Sequence, residues 1–424
     1  MSRTSGPVTD HMVVNVNVLG VGQRPAAWRN PELHARSILD LDYWQTVART
    51  AEKALVDAVF IADRPAMTDP RTRPVQYLEP TVQLTAMAAV TEHVGFVGTA
   101  STTLNTPEEL AARLYSLHVA SRGRYAWNAV TTYDPEAVRN FGHAAVATRE
   151  TRYARGEEVI RAVRALWESA GTGQTVSFHG DYVDMEATLP AAVTFPGHPV
   201  IVQAGGSMPG KRLAGRVADA VYSVEQDLEA GVESRELVRR IAAEEGRSPD
   251  AVRVYPGLAL VIGSTEAEAW ERFDHWENLA PPTYSLQALS AALGEDLSDV
   301  DLDAPLPARI LDAEPSPEEF SGWSLGYRNT LVRMARRSGA PVRKLLREFG
   351  GYGQRFLAGT PEQIADTMEE WFRAGAADGF NLMLDLFPSA LEDYAEQVVP
   401  ELQRRGLIRR EYTEGTLRDR FTSP

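Results

Sequence analysis

The sequence predicts a (β/α)₈ barrel, the TIM-barrel fold, with insertions, formed as one domain by residues 1–424. Eight short β-rich runs recur along the chain, and longer helical patterns separate them. Most of these runs are continuously apolar, as is typical of parallel strands that are buried on both faces. An open doubly wound sheet has the same alternation of strands and helices and is the structural alternative.

The predicted strands are VVNVNVL from Val13, AVFIA from Ala58, HVGFVGTA from His93, RYAWNAVT from Arg124, PVIVQAGG from Pro199, ADAVYSV from Ala218, VRVYPGLALVIG from Val252 and FNLMLDLF from Phe380. Two helix starts between them are well marked, at Thr106-Pro107-Glu108-Glu109 and at Thr360-Pro361-Glu362-Gln363. Each combines an N-cap Thr with Pro at the first helical position and an acid or amide two residues later. These signals support the alternation of strands and helices.

The seventh and eighth predicted strands are much further apart than one helix and two loops require. We therefore predict an insertion at residues 278–350. Its first part, from Gly294, is acidic and rich in Pro, whereas the part from Tyr327 is basic and helical. The insertion is either a solvated excursion or a lid over the active face of the barrel.

Composition excludes several classes of function. The net charge of −15 argues against general affinity for nucleic acid or anionic membranes. The chain has no Cys and its eight His lack HxxxH or HxH spacing, so we expect no metal site and no thiol chemistry. We find no export signal and no membrane-spanning segment, and we expect a cytoplasmic protein. Phosphate-binding GxGxxG and GxxxxGK[ST] motifs and the GxSxG motif are absent.

Polar residues follow the predicted strands, at the end where a (β/α)₈ barrel carries its active site. Asp63 ends the second strand, Ser101 and Thr102 end the third, and Asn128 lies within the fourth. Each also has a purely structural explanation, because Asp caps loops and Thr bonds its own backbone. Together they form a ring of mostly neutral hydrogen-bonding groups, which suits a polar heteroaromatic ligand better than hydrolysis. We therefore expect a cofactor.

An anion site is predicted where Gly205-Gly206-Ser207 opens a helix, because free N–H groups at a helix start attract phosphate. The alternative is a left-handed turn at the glycines without any ligand. Arg149, Arg152 and Tyr153 add positive charge and a hydroxyl at the start of another helix, although the arginines also fit a solvated face.

Several motifs together resemble those of the luciferase-like flavin-dependent monooxygenases. They are FIADR, STTLNTPEELAARLYSLHVAS, GRYAWNAVTT with RNFG, RYARGEEVIRAVRALWES, PVIVQAGGS and GTPEQIADTMEEWFRAGAADGFNLM. The resemblance covers nearly the whole chain. It is strongest to the group that contains nitrilotriacetate monooxygenase, dibenzothiophene sulfone monooxygenase and pristinamycin IIA synthase.

The resemblance implies a (β/α)₈ barrel that is a homodimer or a dimer of dimers. It implies that the chain takes reduced FMN (FMNH₂) from a separate NAD(P)H:flavin reductase. A C4a-(hydro)peroxyflavin would then insert one oxygen atom of O₂ into a small organic substrate. Alternatives are a deazaflavin-dependent dehydrogenase on the same barrel and a non-catalytic flavin-binding protein; the WNAVTT and RNFG segments point away from the dehydrogenase.

The resemblance also implies a set of cofactor-binding residues. Asp63 and Thr102, or Ser101, would contact the flavin ring and ribityl chain, and Asn128 would lie near the isoalloxazine. Tyr153, Gly206 and Ser207 would bind the phosphate, and Arg149 stands where the family often has a histidine. Gln23 and Arg24 replace a common histidine pair before Pro25-Ala26-Ala27-Trp28-Arg29. No residue is identified as a catalytic acid or base.

Overall fold

Eight parallel strands close into a barrel in the computed structural model, which confirms the predicted fold class. The structure describes residues 11–23, 27–30, 37–66, 78–190, 195–279, 282–316, 320, 325–348, 354–413 and 415–422. Arg24, Pro25 and Ala26 lie outside these ranges. The strands are β1 (Val13–Asn17), β2 (Ala58–Ile61), β3 (Gly95–Ser101), β4 (Tyr125–Val130), β5 (Val176–His179), β6 (Asp184–Ala187), β7 (Val200–Ala204), β8 (Ala220–Ser223), β9 (Arg253–Ile262), β10 (Arg355–Gly359) and β11 (Gly379–Leu384).

Around the barrel the strand order is β1-β2-β3-β4-β7-β8-β9-β11, and β11 pairs back with β1. All eight predicted strands are therefore confirmed. Three strands were not predicted. The strands β5 and β6 form a separate antiparallel hairpin, and β10 pairs with the C-terminal part of β9, beyond the residues that pair with β8.

The helices include both of the predicted starts, with Thr106 and Thr360 as N-caps and a full capping box at Thr360. They are α1 (Leu41–Lys53), α2 (Pro80–Ala88), α3 (Pro107–Ala120), α4 (Pro135–Asn140), α5 (Arg149–Glu168), α6 (Met208–Val217), α7 (Leu228–Glu244), α8 (Glu266–Leu279), α9 (Pro282–Leu293), α10 (Ala308–Leu311), α11 (Leu325–Ser338), α12 (Val342–Glu348), α13 (Pro361–Arg373), α14 (Ser389–Asp393), α15 (Val399–Arg404) and α16 (Leu417–Thr422). A π-helical turn at Tyr394–Val398 connects α14 to α15.

An Asp precedes β2, β8 and β11 and ties the amino-terminal ends of neighbouring strands together. In each case a carboxylate oxygen accepts from a backbone N–H: Asp57 from Val14 (2.8 Å), Asp219 from Ile201 (2.8 Å) and Asp378 from Val254 (2.9 Å). Each carboxylate also pairs with a guanidinium, from Arg409, Arg418 and Arg235 respectively. These contacts stabilise one end of the barrel and leave the opposite end available for chemistry.

Apolar side chains fill the lower interior of the barrel. Val13, Phe60, Val97 and Val202 share one buried cluster with Leu417 and Phe421 of α16. The C-terminal helix therefore closes the barrel at its amino-terminal face, near Gly95, whose missing Cβ leaves room for Leu417. The open end of the barrel is the end where the polar residues lie.

The stretch predicted as an insertion contains a hydrophobic cluster of its own. Leu293, Leu306, Ile310, Leu331 and Leu345 belong to one buried cluster that is separate from the barrel clusters. Its acidic first part pairs with its basic helices and with Arg309, through Asp299–Arg309, Asp303–Arg343 and Asp312–Arg336. The opposite charges noted in the sequence therefore compensate each other within the insertion.

Candidate active site

Asn128 lies inside the barrel on β4, and only one of the two polar atoms of its side-chain amide has a hydrogen-bond partner. Its Nδ2 donates to Thr99 Oγ1 (3.0 Å), whereas its Oδ1 is buried and has no hydrogen-bond partner among the described residues. Thr99 Oγ1 donates its own proton to the Ile61 carbonyl (3.0 Å), so it can only accept from Asn128. This arrangement fixes the amide with its oxygen free. An unmade bond at such an atom costs about 1–3 kcal/mol, which a ligand donor would recover.

Ser101 and Thr102 are largely committed to their own loop. Ser101 Oγ contacts Thr132 Oγ1 (2.7 Å) and accepts from the Thr103 N–H (3.1 Å). Thr102 Oγ1 donates to the Val130 carbonyl (3.1 Å), and Arg155 binds the Thr102 carbonyl. The structural explanation therefore accounts for much of both side chains. Ser101 Oγ also accepts from the Leu104 N–H (3.3 Å), so its two lone pairs are occupied, whereas Thr102 Oγ1 keeps its acceptor lone pairs.

Asp63 follows β2 at the mouth of the barrel and is half-buried. Burial and, after it, the charge of Glu79 raise the pKa of Asp63 to about 6, against smaller lowering effects from the Arg64 N–H and Arg113. Arg113 itself pairs with Glu79 (3.3 Å). A carboxyl with this pKa changes charge near neutral pH and suits a polar contact at the mouth.

Asp63→Asn should increase the stability of the protein at pH 8 by about 1–3 kcal/mol and should leave it unchanged near pH 4. The folded state raises this pKa, so the ionised form is destabilising, and that cost is present above pH 6 and disappears as the pH falls toward the unfolded value. Denaturant unfolding at several pH values measures the effect. A stability difference independent of pH would show that Asp63 is not the titrating group.

Two helix starts meet where the sequence predicts an anion site. Tyr153 on α5 places its hydroxyl 3.4 Å from Ser207 Oγ, the N-cap of α6. Gly210 permits this approach, since a Cβ there would lie 3.2 Å from the tyrosine hydroxyl. Neither Gly205 nor Gly206 has a positive φ, so the left-handed turn is wrong. Instead, a Cβ would crowd Gln203 at Gly205 and Val224 at Gly206.

Positive charge surrounds this corner. Arg149 and Arg152 are half-buried at the start of α5, and burial lowers the pKa of Arg152, with a further contribution from the charge of Arg149. Arg152 Nη1 donates to the Ala147 carbonyl (2.6 Å). Lys211 is occupied by Glu225 (3.3 Å) and is therefore a weaker candidate for an anion. Arg152 Nε is buried and has no partner among the described residues, and Arg149 lies one turn before Tyr153 on α5.

A layer of buried polar side chains on the other half of the barrel was not predicted from the sequence. Asn15, Asn17, Tyr222, Tyr255 and Asn381 each have a buried polar atom without a partner among the described residues. Asn15 and Asn381 face each other in register on β1 and β11. An Asn inside an apolar strand was the signal that identified Asn128, and it would have found these asparagines too.

Within the described residues no group of acidic and histidine side chains is arranged to hold a metal ion, and no helix is long and apolar enough to cross a membrane.

Comparison with known proteins identifies the family. The model of the luciferase-like monooxygenases matches residues 20–378. The chain belongs to this family. Nitrilotriacetate monooxygenase component A of Aminobacter aminovorans is 36% identical, and the alignment covers 94% of this chain and 93% of that protein. The matching component of pristinamycin IIA synthase from Streptomyces pristinaespiralis is 38% identical, with the same coverage. The chain is therefore a monooxygenase of the flavin-dependent class.

Solved structures support the same assignment. The EDTA monooxygenase from Chelativorans sp. BNC1 is similar with a TM-score of 0.81 and 33% identity, covering 98% of this chain and 99% of that chain. The likeness therefore extends over both the barrel and the insertion.

The residues present fit a flavin mononucleotide. The orphaned amide oxygen of Asn128 can accept from a ring N–H, and the Tyr153–Ser207 corner with Arg149 offers donors for a phosphate. These two features lie on the same side of the barrel, since β4 and β7 are neighbours and α6 follows β7.

Proposed function

We propose that the chain is the oxygenase of a two-component system. It takes FMNH₂ from a separate NAD(P)H:flavin reductase and inserts one oxygen atom of O₂ into a small organic substrate. The observation that carries this proposal is the Tyr153–Ser207 corner after β7 combined with the free amide oxygen of Asn128 on the neighbouring strand β4. Relatives named as monooxygenases along nearly the full chain support it. We propose a cytoplasmic homodimer or dimer of dimers.

Reduced flavin supplies the chemistry with oxygen, and the chain supplies binding, orientation and exclusion of water. Tyr153, Ser207 and Gly206 would hold the phosphate, with Arg149 as the nearby charge. Asp63, Thr102 and Ser101 would contact the ring and ribityl chain, and Asn128 would fix one edge of the ring. We assign no catalytic acid or base.

Asn128→Leu should weaken binding of FMNH₂ about tenfold, because the variant replaces the only acceptor on that side chain with an alkyl group of similar size. Anaerobic titration with FMNH₂ measures this affinity. Thr99→Val keeps the Asn128 amide but removes the hydroxyl that accepts its hydrogen bond, so the decrease in FMNH₂ affinity should be smaller than in Asn128→Leu. Unchanged affinity in Asn128→Leu would place Asn128 away from the flavin.

Rapid mixing of the wild-type FMNH₂ complex with oxygenated buffer tests the reaction class. We expect the flavin absorbance to pass through an oxygen-dependent transient before it returns to the oxidised spectrum. Failure of wild-type protein to bind FMNH₂ at all would favour a deazaflavin-dependent dehydrogenase. Bound flavin with no oxygen-dependent product would favour a non-catalytic flavin-binding protein.

The insertion at residues 278–350 is our candidate lid. Deletion of Asp296 to Glu319 removes Leu306 and Ile310 from its core, so the remaining helices should no longer hold their packing. We expect this variant to release more hydrogen peroxide per NAD(P)H consumed, because the opened mouth would no longer exclude water from a bound flavin that reacts with O₂. Peroxide assays with a flavin reductase measure the yield. An unchanged yield would count against the lid, provided that FMNH₂ still binds.

A further inference from the structure

We infer that the half of the barrel mouth opposite the flavin residues is a substrate subsite for an uncharged group that carries an N–H or O–H donor. This inference rests on the proposed function and names a substrate class for the same active site. Its core is a cluster of four residues, Gln23, Gly257, Gln354 and Met383, which we call the amide subsite.

The four residues come from four separate segments and meet closely. Gln23 follows β1, and its Nε2 lies 3.7 Å from Met383 Sδ on β11. Gly257 on β9 has no side chain, and a Cβ there would lie 2.9 Å from Met383 Cε. Gln354 Oε1 occupies the space where that Cβ would project. The glycine therefore allows the Gln354 carboxamide to enter the mouth.

Three acceptor oxygens are left free here, against one free amide donor, Asn15 Nδ2, in register with Asn381. Gln354 Oε1 has no hydrogen-bond partner among the described residues, and neither has Asn381 Oδ1 nor Asn17 Oδ1. Asn381 and Asn17 are 3% and 8% exposed, and Asn381 lies in register with Gly257. Buried polar atoms are rarely left unpaired, so these oxygens indicate a ligand that donates hydrogen bonds.

The amide subsite is separate from the predicted flavin contacts. It is built from β9, β11 and the segment after β1, whereas the flavin contacts follow β2, β3, β4 and β7. In the closed cylinder β11 lies four strands from β4 on either route, so Asn381 and Asn128 are on opposite sides. A flavin held at the first side leaves the second side for the substrate.

The charge of the subsite argues against a carboxylate. A carboxylate only accepts hydrogen bonds, so it would face the oxygens of Gln354, Asn381 and Asn17, and only Asn15 Nδ2 would be a free buried donor to it. The nearby cation Arg272 is already bound to Asp385 (2.6 Å) and Asp393 (2.6 Å). An amide, amine or hydroxyl group of the substrate satisfies the free oxygens without moving a charge into the barrel.

The segment that follows the insertion contributes directly to this subsite. Gln354 stands immediately before β10, the strand that pairs with β9 after α12. The return of the chain from the insertion to the barrel therefore carries a ligand-facing side chain. The sequence of this segment is a determinant of which substrate group binds.

Three probes of matching shape test the inference: benzamide, N,N-dimethylbenzamide and benzoate. Calorimetric titration of the protein loaded with oxidised FMN, without reductase, measures binding in the absence of turnover. We expect benzamide, which has N–H donors, to bind about tenfold more tightly than either of the other two. Equal or tighter binding of benzoate would overturn the inference.

Substitutions then test whether benzamide binds at the amide subsite. Gln354→Leu should weaken benzamide about tenfold, and Gly257→Ala should do the same because its Cβ displaces the Gln354 carboxamide. The double variant should lose no more than either single variant. The exposed Gln174→Leu is the matched control and should bind like wild type. Unchanged benzamide affinity in both single variants would also overturn the inference.

FMN affinity keeps the two proposals apart. It should be unchanged in Gln354→Leu and Gly257→Ala. If wild-type protein fails to bind FMN, the proposed function fails, and titration of the flavin-free protein with the same probes still tests the subsite. If FMN binds and the probes are not discriminated, only the subsite fails.

Discussion

Removing both hydroxyls at the meeting point of α5 and α6, in Tyr153→Phe/Ser207→Ala, should weaken FMN binding at least about 100-fold while leaving riboflavin binding unchanged. The two hydroxyls lie 3.4 Å apart at a helix start. Hydrogen bonds to a charged group contribute about 1.5–3 kcal/mol each, and every 1.4 kcal/mol is tenfold in affinity. Riboflavin has the same ring and ribityl chain but no phosphate.

Quenching of flavin fluorescence measures both affinities on the same proteins. Tyr182→Phe, which removes a hydroxyl from an exposed tyrosine, is the matched control and should bind both flavins normally. An equal loss for FMN and riboflavin would mean that the corner supports the fold or the ring instead of the phosphate. Unchanged FMN binding would remove Tyr153 and Ser207 from the cofactor site.

The sequence was sufficient to predict the barrel strands because each is a run of apolar residues with a clear length. It was less informative for β5 and β6, a short hairpin in which exposed residues alternate with residues that are mostly only half-buried. It missed β10 because that strand pairs only with β9 and is only partly buried. The periodicity and length of apolar runs in the sequence identify the strands that form the barrel much better than the strands that pair outside its eight-stranded cylinder or in a separate hairpin.

The site shows a similar division. Tyr153 and Ser207 were predicted from separate helix starts, and the structure brings them together. The amide subsite could not be predicted, because Gln354 reaches Gly257 only through the fold and neither residue carries a motif. Asn381 did carry a signal, as a carboxamide within an apolar run. Local sequence patterns identify polar residues in unexpected places. Which of these residues contact each other depends on the topology of the fold.

Asp378→Ala should destabilise the protein by about 3–5 kcal/mol, a larger effect than any surface ion pair supports. The Asp378 carboxylate accepts from Arg235 Nη2 (2.7 Å) and from the Val254 N–H (2.9 Å), and both side chains are almost completely buried. Removing the carboxylate leaves a buried guanidinium without its countercharge and a strand end without its acceptor. Denaturant unfolding followed by circular dichroism measures the loss.

Two control variants separate the effect of the buried charge from the effect of the lost hydrogen bond at the strand end. Asp299→Ala breaks an exposed pair with Arg309 (2.7 Å) and should cost no more than about 1 kcal/mol. Asp378→Leu/Arg235→Met removes both buried charges, and it should recover much of the loss because the desolvated guanidinium is gone. The Val254 N–H stays unsatisfied in that variant, so recovery should be incomplete. If the double variant is as unstable as Asp378→Ala, the strand-end hydrogen bond, and not the buried charge, dominates the stability of this end of the barrel.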